Sequence, residues 1–211
     1  MIRWIAKPLF LVCAFFFLFG SFSSQGDETD QALVAEREKL CAEWRKERDA
    51  FFKTHPRSPL SSEEKKRFQC LHYYSFDPKY VFSGDIERYV FDHNNPKYHA
   101  TFLTNKGTSK RYIRYGRFHF QMDGKELTIE VFKSLLSDSL FIPFKDKTNG
   151  KETYEGGKYV DAVILPGYKM ILDFNTGYFP VCAYNDKLVC VLPPRENVFD
   201  VEIRAGERNE R

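Results

Sequence analysis

Neither sign of charge dominates this chain. Its 211 residues hold 32 Lys and Arg against 29 Asp and Glu, and without Arg3 and Lys7 the basic count is 30. A balance this close exerts no pull toward nucleic acid or an anionic membrane surface, so no nucleic-acid partner is expected. Histidine is scarce: His55, His72, His93, His99 and His119 show no spacing that would set two on one face as metal ligands. No H-E-x-x-H pair, G-x-S-x-G elbow or Cys–His nucleophile arrangement occurs. "YEGGKY" at 154–159 lacks the spacing and the Lys-Ser/Thr ending of a phosphate loop. No cofactor and no metal are expected, and the sequence leaves open whether the chain is an enzyme.

Aromatic residues, by contrast, are abundant, at 17% with 21 Phe and 12 Tyr. They favour sheets, where flat side chains pack across strands. The start of the chain reads as an export signal over residues 1–23. Arg3 and Lys7 form a basic start, "PLFLVCAFFFLFG" (8–20) an apolar core, and Ser21-Phe22-Ser23 a cleavage site. That core falls short of the ~20 residues that span a bilayer. An uncleaved anchor is the alternative, and would be the only membrane contact. The expected location is the periplasm or the exterior.

Residues 24–60 read as a long helix and linker. Leu33, Leu40, Trp44 and Phe51, with Val34, Cys41 and Phe52, recur near helical spacing over Asp27–Thr54. Glu36, Arg37, Arg45 and Lys46 fill the opposite face. A short helix restarts at Ser61 or Ser62 and is expected to end near Tyr73. From Tyr80 short strands separated by turn residues take over. In "KRYIRYGRFHFQM" (110–122) alternation puts Tyr112, Arg114, Phe118, Phe120 and Met122 on one face, and Asp123-Gly124 turns a hairpin. Further strands are read at 140–144, 159–164, 169–174, 188–192 and 198–204. The expected class is mainly β (α+β): an antiparallel sandwich or partly closed barrel over 61–207, with one long and one short N-terminal helix and a solvated tail at 208–211.

The strings "SPLSSEEKKRFQCLHYYSFDPKY", "IPFKDKTNGKETYEGGKYV", "DFNTGYFPVCAY" and "LPPRENVFDVEIRAGER" resemble DUF1684, an uncharacterised bacterial and archaeal family. The likeness implies almost nothing about activity. The family's pattern has Ala at Gly177, Asn at Phe179 and Pro at Val191, and this chain departs at all three. If an Asn at 179 binds something, Phe179 puts that role in doubt. Cys41 and Cys70 are additions to the pattern.

Four cysteines follow the signal, an even count that suggests disulfides in an exported chain. Three pairings exist. With Asn185-Asp186-Lys187 as a hairpin turn, Cys182 and Cys190 would stand opposite, ~4.5–5.5 Å apart at Cα. Cys41 and Cys70 would then pair by elimination. Unpaired structural thiols remain the alternative.

Two polar clusters are the candidate surface. One holds Asp146, Asn149, Glu152 and Tyr154. The other holds Asp173, Asn175, Tyr178 and Tyr184, with Arg195 and Asn197 beyond. Carboxylates, amides and tyrosines on loops can bind a small polar ligand. "DKTNG" (146–150) is equally good turn chemistry. The expected function is a non-enzymatic binding module for a small polar ligand in the cell envelope. The alternatives are a small hydrolase or lyase using an Asp/Glu/Tyr/Arg site, and a structural envelope component.

Overall fold

Residues 25–210 are described, except 91, 93, 94 and 135–139, in a computed structural model of the chain. The expected export segment 1–23, His93 and Arg211 lie outside the described residues. Two helices come first, α1 (Gln25–Thr54) and α2 (Ser62–Arg67). Ser61 caps α2 by accepting from Glu64 N, and the Glu64 carboxylate accepts from Ser61 N at 2.7 Å. α2 stops at Arg67, short of the expected Tyr73, because Phe68 turns to extended geometry. The chain then runs as a strap.

Seven strands follow: β1 (Val81–Arg88), β2 (His99–Leu103), β3 (Ser109–Met122), β4 (Lys125–Ser134), β5 (Leu140–Phe144), β6 (Lys158–Leu165) and β7 (Lys169–Asp173). The fold is mainly β. Six strands close an antiparallel barrel in the order β1-β7-β6-β5-β4-β3, and β2 adds to β3 outside the cycle. β1 closes the barrel by dividing itself. Val81–Asp85 pair with β7, and Ile86–Arg88 pair with β3. Gly116 makes that closure sterically feasible, since a Cβ there would sit 2.5 Å from Glu87 O. The Asp123-Gly124 turn is as read, with both residues at positive φ (50° and 74°).

A bulge between Arg114 and Gly116 overturns the simple alternation of β3. Tyr115, Phe118, Phe120 and Met122 pack with Ile129, Ile142, Val160 and Leu172 in the barrel core. Tyr112 instead packs with Ala100, Phe102 and Phe132 in a second cluster. One extra residue flips every side chain beyond it to the other face.

The stretches 188–192 and 198–204, expected as strands, are not strands. The second bends at Asp200–Val201 and, with the residue after it, buries Phe199, Val201, Ile203 and Ala205 at alternate positions. Backbone bonds tie its first half to the β5–β6 loop, from Phe199 N to Lys145 O and from Lys147 N to Val201 O, and side chains tie the rest. Asp146 Oδ1 accepts from Ile203 N (3.3 Å), Tyr80 Oη accepts from Arg204 N (3.2 Å), and Lys158 Nζ donates to Ile203 O (2.8 Å) and Ala205 O (3.3 Å). The residues read as a solvated tail are tied as well: Arg208 N donates to His72 O, and Asn209 N to Glu152 O.

α1 packs through a face the apolar pattern revealed only in part, at Cys41 and Phe52. Arg37, Cys41 and Phe52 are buried, while Leu40 is 40% exposed. With Arg45 and Arg48 they form one stripe at three- and four-residue spacing. Arg37 Nε donates to Asp173 Oδ2, Arg45 Nη2 to Asn175 O, and Arg48 Nη2 to Glu207 Oε2. The arginines read as solvated are the fasteners, because their partners are buried acids and a carbonyl on the barrel.

Candidate functional site

Most of the ten candidate residues are internal ties. Asp146 accepts from Thr148 N and lies 3.2 Å from Lys158 Nζ, with both side chains fully buried. Burial lowers the Lys158 pKa, and Asp146 opposes that shift. Asn149 closes the same loop by donating to Thr153 Oγ1 and Tyr154 O. Glu152 holds Arg204 and accepts from Tyr74 Oη at 3.0 Å. Asp173 caps Asn175 N, Asn175 pins Asp77 at both N and O, and Asn197 donates to Glu130 O and Pro143 O. Tyr178 Oη donates to Asp161, and Arg195 is exposed. The two clusters do not converge on one face. Asp146 and Asp173 each have their own cation, so they form no carboxylate pair.

The structure does bring Tyr154 and Tyr184 together. Both line a pocket of about 310 Å³ with Leu60, Phe68, Leu71 and Phe179. Phe68 and Leu71 lie where α2 gives way to the strap, Tyr154 on the β5–β6 loop, and Tyr184 beside a 3-10 turn at Val181–Ala183. Asp49 of α1 holds the strap by accepting from Leu71 N at 2.9 Å, and Asn185 Nδ2 donates to Pro59 O at 3.1 Å. The Tyr184 ring meets Phe52 edge-on at 4.6 Å, and its buried hydroxyl has no hydrogen-bond partner among the described residues.

Glu207 also lines this pocket although it is only 1% exposed. Its Oε2 accepts from Arg48 Nη2 at 3.2 Å and from Phe179 N at 2.8 Å. Oε1 has no partner among the described residues. Burial pushes the carboxyl pKa up to about 7, against the downward pull of Arg48 and the Phe179 N–H. The Arg48 guanidinium sits 4.7 Å over Tyr178, 5.2 Å over Trp44 and 5.3 Å over Phe52. Phe179 contributes a backbone N–H, which any residue but proline would supply, so the departure from Asn leaves this contact intact. Glu207 had a signal in the sequence: it continues the alternation of Val201, Ile203 and Ala205, which marks an acid on a buried face.

A second groove of about 380 Å³ runs along α1 between Leu40, Trp44, Asp161 and Val163. Arg37 and Asp161 are engaged there, with Asp173 and Tyr178, and its other carboxylates, Glu43 and Glu47, are exposed. The Glu207 pocket is therefore the better candidate.

All four described cysteines are free. Cys41 Sγ donates to Asn175 O at 3.4 Å, while Cys70 is exposed beside Leu71, at the level of Asp49. Eight helical residues, about 12 Å, separate those levels, so Cys41 and Cys70 are not a pair. Cys182 and Cys190 do meet, though not on a hairpin ladder: Cys190 Sγ accepts from Cys182 N at 3.1 Å. Burial pushes the Cys190 thiol up to about 12. Among the described residues, no three or more His, Cys, Asp and Glu group to hold a metal ion. No helix among them is long and apolar enough to cross a membrane.

A solved structure shares this fold: the solution NMR structure of an uncharacterised protein of Haloarcula marismortui. It is 31% identical, with a TM-score of 0.65, covering 85% of this chain and 97% of the other. No curated protein matches the chain. The model of "Protein of unknown function (DUF1684)" matches residues 66–208, which takes in the strap, the whole barrel and Glu207, and the chain belongs to that family.

Proposed function

We propose that this protein is an exported, non-enzymatic module of the cell envelope that binds one small polar ligand in the Glu207 pocket. The carrying observation is a buried carboxylate with one unpartnered oxygen at an apolar, aromatic-walled pocket. Concave apolar sites with few polar groups are where proteins hold small molecules. The export reading rests on the apolar run at 8–20 with its basic start.

A second reading, a small hydrolase or lyase, draws on one observation. A carboxyl with pKa about 7 gives and takes protons at neutral pH. Binding is preferred because Glu207 is the one buried carboxylate lining the pocket, and acid–base hydrolysis of the glycosidase kind needs two.

Native mass spectrometry of the full chain purified from its own host tests the proposal. Wild type is expected to carry a small molecule that a Phe68→Ala/Tyr184→Ala variant has lost. Equal retention by both proteins, or by neither, would defeat it. Conversion of the retained molecule by wild type and not by Glu207→Gln would move the assignment to the enzyme reading.

A further inference from the structure

At the Glu207 pocket one carboxylate oxygen and one guanidinium lack polar side-chain partners among the described residues, and the two groups carry opposite signs. Glu207 Oε1 is one, its sister oxygen being taken by Arg48 and Phe179 N. The other is the Arg208 guanidinium. Arg208 lines the same pocket, its Nε is buried without an acceptor, and its side chain makes no ion pair among the described residues. Its guanidinium stands 6.0 Å from the centre of the Tyr74 ring. Leaving the buried Arg208 Nε without an acceptor costs free energy.

Arg48 is a cation like Arg208 and is no partner for it; it is boxed by aromatic rings and bound to Glu207 Oε2. The remaining charges nearby are engaged. Asp49 holds Leu71 N, and Glu210 lies 3.6 Å from His72 Nε2. Tyr73 faces Glu207 as a neutral phenol, its pKa raised by burial. The site thus offers one acceptor of negative charge and one donor of positive charge, beside apolar walls.

Resting on the binding reading above, we propose that the pocket takes a small zwitterion, a free α-amino acid with an apolar side chain. Its ammonium group donates to Glu207 Oε1, and its carboxylate accepts from Arg208, where a guanidinium matches carboxylate geometry. The side chain lies among Phe68, Tyr154, Phe179 and Tyr184. A volume near 310 Å³ stands at the small end of ligand sites and suits one residue rather than a peptide.

The test is calorimetric titration of the full-length chain, in mild detergent, with three probes that share a phenyl body. L-Phenylalanine carries both charges, 2-phenylethylamine only the ammonium, and 3-phenylpropionate only the carboxylate. Phenylalanine is expected to bind at least tenfold more tightly than either half-probe. Glu207→Gln should weaken phenylalanine and phenylethylamine but leave phenylpropionate unchanged, and Arg208→Gln should do the reverse. With Glu207 titrating near pH 7, phenylalanine should bind severalfold more tightly at pH 7.5 than at pH 6. His72→Gln should keep that dependence. A half-probe that binds as well as phenylalanine overturns the zwitterion and leaves the binding site standing. If no probe binds, the zwitterion falls, and the retention experiment with Phe68→Ala/Tyr184→Ala then decides the site separately.

Discussion

Arg37 Nε and Asp173 Oδ2 meet at 3.0 Å across 136 residues of chain, with both residues more than nine-tenths buried. This contact joins the fourth turn of α1 to the end of β7. Replacing the arginine leaves Asp173 charged and out of water, with only Asn175 groups to satisfy it. Arg37→Met is expected to lose about 3 kcal/mol of stability in urea unfolding, the usual cost of breaking a buried pair from one side. A loss under about 0.5 kcal/mol would mean that the pair is exposed and weak.

Lys158 and Asp146 are a tighter case, both wholly buried. Lys158→Met should cost about 3–5 kcal/mol, since it strands Asp146 and frees the carbonyls of Ile203 and Ala205. A double-mutant cycle with Asp146→Ala should be non-additive by more than about 1 kcal/mol. Simple addition would show that the two do not interact.

Glu207 makes stability depend on pH in a definite direction. Its folded pKa, about 7, lies above the ordinary 4.5, so between those values the native chain binds more protons than the unfolded one. Stability contributed by its protonation is full below pH 4.5, falls as pH rises through 7, and is gone above. The window spans about 3 kcal/mol. Thermal unfolding at pH 5 and pH 7.5 should show wild type losing more than Glu207→Gln over that interval. Parallel losses would place Glu207 in solvent.

Gly206 has φ of +73°, and a Cβ on it would run into the Gly177 backbone. Gly206→Ala should therefore cost more than about 2 kcal/mol, from left-handed strain and from steric overlap that backbone atoms cannot relieve. Chemical unfolding measures it. A change within 0.5 kcal/mol, the usual range of a surface substitution, would show that this crossing is open.

Thiol labelling separates the cysteines. In the reduced native protein Cys70 should react first, since Cys41, Cys182 and Cys190 are buried. Once the chain is denatured, Cys41, Cys70, Cys182 and Cys190 should all titrate, since all four are free in the fold. Loss of Cys41 or Cys70 from that count would contradict the spacing along α1.

Much of the barrel could be read from local chemistry. Asp123-Gly124 named its own turn, and Ile129 and Val131 alternate as a half-buried strand must. The bulge at Arg114–Gly116 carries no comparable sign, because it is imposed by the approach of β1 at Gly116. The arginine part of the α1 face was hidden for another reason. Apolar periodicity cannot mark a helix whose contacts are arginines, as their partners Asp173, Asn175 and Glu207 lie more than 120 residues away. Of the candidate site, Tyr154 and Tyr184 were legible and Glu207 was overlooked. The pocket is assembled from the strap, two loops and the C-terminal segment, and their meeting is a property of topology.

β1 meets β3 through three residue pairs, whereas β3 meets β4 through ten. Seams this short, which among the described residues include β4–β5 with two pairs and β6–β7 with three, should breathe before the β3–β4 hairpin does. Backbone amides of Ile86–Arg88 should trade hydrogen for deuterium sooner than those of Phe118–Met122 facing β4, and the cuff can loosen along its short seams while the β3–β4 wall stays shut.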